Sequence, residues 1–114
     1  MTKKRKSLAK PRHHSFLLQN GLCFYCNQPM WETDPTDFSK KYGITEKQAR
    51  ILKCTGEHLH AHQSGGKSSK NNIVAACFYC NQRRHRRKGE LDPTQFKHHV
   101  VIRLNHGKWH GINI

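Results

Sequence analysis

Apolar positions along the chain fall into short clusters, and each is bounded by residues that start or stop local structure. Phe16, Leu17, Leu18 and Leu22 surround Asn20-Gly21 and predict a short apolar entry segment. Asp34-Pro35-Thr36 sets an N-cap and an N1 proline ahead of Phe38 and Tyr42, with Gly43 as the stop, so a helix is expected there. Thr45 can cap a second helix that carries Ala49, Ile51 and Leu52 and ends near Lys53. After Asp92-Pro93, the residues Phe96, Val100 and Leu104 recur every four positions and predict a C-terminal helix over 92–106 with one apolar stripe. Trp109 and Ile112 can then pack back on the body. By contrast, residues 1–14 hold almost nothing to bury and read as a basic flexible arm ahead of a single domain over 15–114.

Between these clusters lies a repeat. Cys23-Phe24-Tyr25-Cys26-Asn27-Gln28 recurs letter for letter as Cys77-Phe78-Tyr79-Cys80-Asn81-Gln82. Two C-x-x-C turns supply four thiolates, the set that Zn²⁺ takes up tetrahedrally at about 2.3 Å. Cys23, Cys26, Cys77 and Cys80 are therefore the expected ligands of one structural zinc. Such a staple matters here, because 114 residues with 34% apolar content leave a thin core. Structural zinc supplies about 10–16 kcal/mol of apparent binding energy, comparable to a domain's net stability. Cys54, the fifth cysteine, cannot complete a second site alone and reads as a buried thiol.

Charge narrows the partners. Twenty-one Lys and Arg against seven Asp and Glu give a net +14, which attracts polyanions, so nucleic acid comes first. No signal-peptide-length apolar run follows the basic start, and no membrane span is readable. Paired cysteines without such a signal suit a reducing, cytoplasmic setting and metal binding better than disulfides. The segment 35–53 is spaced like a helix-turn-helix, but two short helices with a small apolar face fit a packing insertion better.

Inside the loop closed by the cysteines, Cys54-Thr55-Gly56-Glu57-His58, Gly65-Gly66 and Asn72-Ile73-Val74-Ala75-Ala76 read as strand, glycine turn, strand, with a helix following. A carboxylate and an amide oxygen can hold a hard cation, and an imidazole can take a proton from water near pH 7. In this order, Glu57-His58, Gly65-Gly66, Asn72 and Cys77-Phe78-Tyr79-Cys80-Asn81 strongly resemble the HNH endonucleases in their zinc-stapled form. The resemblance covers roughly residues 23–30 and 54–89. It implies an α+β fold, a small ββα-metal core over 54–89 with added helices. It also implies a metal-dependent DNA endonuclease with His58 as general base and Asn72 bracing the segment that orients it. Glu57 and Asn81 would hold one Mg²⁺ or Mn²⁺.

The pattern departs from the commonest one at three places: Asn81 stands where His is frequent, Glu57 where Asp is, and Ala61 where proline is. None removes a chemical function. Strict strand alternation would set Glu57 and His58 on opposite faces, so the strand must bend or the metal must sit at its end. His58, His60 and His62 alternate and form a rival metal set. His85, four residues after Asn81, would face the same site as a further cation ligand. Arg83, Arg84, Arg86, Arg87 and Lys88 crowd the same helix, expected to run from Gln82 to a stop at Gly89, and are candidates for DNA phosphate contact. The alternative class is a noncatalytic, zinc-stabilised nucleic-acid binding module, which has no need of Glu57, His58, Asn72 and Asn81 together. A redox dithiol would want a βαβ pattern, which is not seen.

Overall fold

A computed structural model describes residues 8–59, 72–86 and 91–114. Five helices, α1 (Ala9–Leu18), α2 (Pro35–Tyr42), α3 (Glu46–Ile51), α4 (Phe78–Arg86) and α5 (Pro93–Asn105), surround an antiparallel pair, β1 (Cys54–His58) and β2 (Ile73–Cys77). The pair runs in unbroken register from Cys54↔Cys77 to His58↔Ile73. Leu59 N–H bonds to Asn72 O at 2.8 Å and extends the ladder by one step.

Local chemistry explains most boundaries. Asp34 accepts from the backbone N–H groups of Thr36 and Asp37, and α2 ends on Gly43 in the left-handed conformation. Thr45 with Gln48 and Asp92 with Gln95 form full capping boxes that start α3 and α5. The α5 stripe turns Phe96 and Val100 into the core, where Phe96 meets Tyr25 edge-on at 4.9 Å. The insertion packs through α3, since Ala49 is buried and its carbonyl accepts Trp31 Nε1 at 2.6 Å.

Two expectations are corrected. Residues 9–14 are not an arm; they are the first turns of α1. That helix has no side-chain cap, and tertiary contacts hold it. Arg12 and His13 reach Glu32 at 3.8 and 2.9 Å. A Cβ on Gly56 would come within 3.2 Å of Leu8, so the bare glycine lets α1 approach β1. In the apolar entry segment, Leu17 and Leu18 are 60% and 71% exposed, while Phe16 packs against the core. In addition, α4 starts four residues earlier than Gln82, because the second knuckle is itself the first helical turn, with Cys80 N–H donating to Cys77 Sγ.

A two-stranded sheet leaves one edge of β2 open, and side chains close it. Gln19 donates Nε2–H to Ala75 O at 2.8 Å and accepts Ala75 N–H on Oε1 at 2.9 Å. Ser15 Oγ donates to Ile73 O, and Phe24 N–H to Ala75 O. Gln19 thus does what a third strand would do. Gln19→Ala is expected to cost about 1–3 kcal/mol in denaturant unfolding, because it strands a backbone donor in a covered position. Gln19→Glu should also destabilise, since a carboxylate cannot donate to Ala75 O.

Candidate functional site

The two knuckles converge. The sulfurs of Cys23, Cys26, Cys77 and Cys80 all lie within 4.8 Å of one another, and all four residues are buried. Tetrahedral Zn–S bonds of about 2.3 Å require sulfurs about 3.8 Å apart, and Cys26 Sγ to Cys77 Sγ is 3.9 Å. Backbone N–H groups of Tyr25 and Cys77 point at Cys23 Sγ at 3.4 and 3.2 Å, a donor arrangement suited to thiolates. Hydrogen bonds from Cys23, Cys77 and Cys80 hold the Cys26 thiol well down, whereas those to Cys23, Cys26 and Cys77 push the Cys80 thiol up. This donor set could hold a zinc ion, and among the described residues no other group of three or more Cys, His, Asp or Glu gathers in this way. Cys54 stays outside it, buried in β1, with burial pushing its thiol up to about 12.

The second cluster lies where β1 meets α4. Glu57 is 0% exposed. Its Oε1 is shared by Arg84 Nη1 at 3.2 Å and His85 Nε2 at 2.8 Å, while Oε2 is buried with no hydrogen-bond partner among the described residues. Asn81 donates Nδ2–H to Thr55 Oγ1 at 3.0 Å and to Gly56 O at 3.3 Å, so its amide is held against the strand just before Glu57. His58 is the last residue of β1 and is partly buried. Asn72 is buried at the entrance to β2, where its carbonyl bonds across the sheet to Leu59. The site residues expected from the sequence therefore collect around one end of β1 and one face of α4.

Their orientation follows from the regular strand. Thr55 meets α4, and Glu57 does so two residues later; Gly56 faces α1. Alternation then puts His58 on the side opposite Glu57. Since β1 stays paired through His58, it does not bend before that residue.

The basic helix divides. Arg83 is exposed and lies over the Tyr79 ring at 4.5 Å, and Arg86 is exposed. Arg84, expected at a phosphate, is turned inward with its side chain 10% exposed. It grips Glu57 Oε1, His58 O at 2.9 Å and Leu59 O at 3.4 Å. The reason is helical spacing: Arg84 lies one turn after the buried ligand candidate Cys80 and must share its inward face. That spacing was the available signal. Arg87, Lys88, Gly89, His60, His62 and Gly65-Gly66 lie outside the described residues. Tyr25 is a further participant that sequence reasoning did not single out. It is buried, and burial first and the Glu57 charge second push its phenol up, so the first knuckle reaches beneath this site.

Fold and clusters together define a small α+β protein in which a two-stranded hairpin and a helix carry a carboxylate, histidines and an asparagine beside a four-cysteine centre. The family model for HNH endonuclease matches residues 43–87, a span that contains α3, both strands and α4. That segment is similar to the HNH endonuclease family, whose members are generally nucleases acting on DNA. The match indicates a nuclease-type or nucleic-acid-binding function. No match was found among curated proteins. Among the described residues, no helix is long and apolar enough to cross a membrane.

The buried pair makes a sharp expectation. Arg84→Met should destabilise by about 3–5 kcal/mol, because it leaves the Glu57 carboxylate buried without a cation. Adding Glu57→Gln to that variant should restore much of the loss, and a double-mutant cycle in denaturant reads the coupling.

Proposed function

We propose that this protein is a metal-dependent DNA endonuclease of the HNH type, stapled by zinc at Cys23, Cys26, Cys77 and Cys80. The observation that carries the reading is Glu57. This carboxylate is sealed from solvent, keeps one oxygen without a partner among the described residues, and stands next to His58 within the HNH-matched segment. Glu57 and the Asn81 amide oxygen are the groups suited to a hard divalent ion such as Mg²⁺ or Mn²⁺, with His85 as a neighbour able to join them. That ion would supply neutralisation of charge on the scissile phosphate oxygens.

The remaining work falls to the chain's own residues. His58 takes the proton from the attacking water on its imidazole. Asn72 and Arg84 hold the strand end, one from β2 and one from α4, so that His58 is presented without freedom in its backbone. Because Glu57 and His58 point to opposite sides, a phosphate that meets both must lie across the end of β1 and not on either face. Arg83 and Arg86 stand exposed on the same helix to receive flanking phosphates, supported by the net +14 of the whole chain. A cytoplasmic setting keeps the thiols reduced for the metal.

Zinc-loaded protein with Mg²⁺ or Mn²⁺ is expected to nick supercoiled plasmid, and His58→Ala should lower the rate by about 10²–10⁴-fold. Equal cutting by the variant would remove His58 from the mechanism. Metal analysis should find one zinc per chain, and a strong chelator should unfold the protein; normal melting of Cys80→Ser would contradict the staple. The saturation of Glu57 Oε1 by Arg84 and His85 favours a second reading, a noncatalytic binding module. Duplex binding by wild type, with no nicking under any divalent metal, would select it.

A further inference from the structure

The end of the chain closes over the cysteine cluster from outside. Trp109 Nε1–H donates to Cys80 Sγ at 3.3 Å. In the next residue, His110 Nδ1 accepts Ile112 N–H at 3.0 Å. A ring nitrogen that accepts a backbone N–H presents its lone pair there, so the neutral ring carries its proton on Nε2. That Nε2 is buried and has no hydrogen-bond partner among the described residues.

The donors are distributed over the sulfurs with little overlap. Among the described residues, backbone N–H groups serve Cys23 and Cys77, Trp109 serves Cys80, and Cys26 receives none. The segment is also fastened at several points. Tyr79 meets Trp109 and His110 edge-on at 5.1 and 5.4 Å, Ile112 is buried, and Ile114 N–H bonds to Gln28 Oε1 of the first knuckle at 2.9 Å.

We infer that residues 109–112 form a strap that retains the metal, with Trp109 Nε1–H donating to the Cys80 sulfur of the second knuckle. The inference rests on the reading of the cluster as a zinc site. Four thiolates around one dication carry net negative charge in a buried place, and donors aimed at sulfur offset it. Ordering of residues 109–112 and retention of the metal are then coupled.

The test uses the full chain, as wild type and Trp109→Phe, which keeps an aromatic ring and loses the N–H donor. The variant is expected to release zinc to a chromogenic chelator about 10-fold faster or more. After Co²⁺ substitution, it should show its thiolate-to-cobalt charge-transfer band moved to lower energy. In zinc-loaded wild type, the Trp109 Nε1–H should be protected from exchange with solvent. Wild-type release and an unmoved band in the variant would overturn the strap, and so would an unprotected Trp109 Nε1–H, which is read without any substitution. A wild-type chain that takes up neither Zn²⁺ nor Co²⁺ would overturn the zinc reading itself, a result distinct from the other two.

Discussion

Four buried cysteines whose sulfurs lie within 4.8 Å of one another tie the turn at 23–26 to the junction of β2 and α4. Cys77 is the last residue of β2 and Cys80 lies in the first turn of α4, so fixing the cluster fixes the angle at which the helix leaves the sheet. Asn81, Arg84 and His85 all project from that helix towards β1, and their reach is set by its exit. The apolar core alone is small for such a task. It includes the cysteines themselves, with Tyr25, Phe96, Leu52 and Val100 among its larger members. Structural metal in that position would therefore govern both stability and the geometry of the carboxylate cluster.

The repeated hexapeptide makes the same local shape serve different surroundings. In the first copy Tyr25 points inward, beneath Glu57, and Asn27 takes a left-handed conformation that turns the chain out of the knuckle. In the second copy the chain continues as a helix, so Asn81 is carried to Thr55 and Gly56, while Tyr79 faces the terminal segment and stacks with Trp109, His110 and Arg83. Identical residues thus acquire different partners because one knuckle opens into a turn and the other into a helix. The second copy aims α4 at the Glu57 carboxylate.

What could be read from the sequence was what depends on near neighbours. Asp34, Thr45 and Asp92 cap the helices they precede, Gly43 ends one, and the C-x-x-C pairs are so short that their sulfurs must converge if the fold closes. The Phe96 and Val100 stripe belongs to the same group, since a period of four residues declares a buried helix face. What escaped depends on distant neighbours. Nothing near Arg12 or His13 announces Glu32, and nothing near Gln19 announces Ala75, so α1 looked like an arm leading to an apolar segment. Arg84 was hidden among other cations. Composition cannot tell a phosphate-facing arginine from one that neutralises a carboxylate; only its phase relative to Cys80 does so.

Arg84 also explains how a carboxylate can be fully buried at the site. An isolated ionised carboxylate carries a desolvation cost of several kcal/mol, and a cation must offset it. Arg84 does so through Nη1, and the same nitrogen bonds to His58 O. Neutralisation of Glu57 and fixation of the backbone at His58 are consequently one interaction, and neither can relax without the other. β1 supplies the chemical groups, but α4 sets their positions. Arg84 and His85 are both committed to Oε1, and the buried Oε2 has no hydrogen-bond partner among the described residues. A desolvated carboxylate oxygen favours a cation above any neutral donor. On the proposed reading, Glu57 would be held in place by one oxygen while the other served a positively charged ligand.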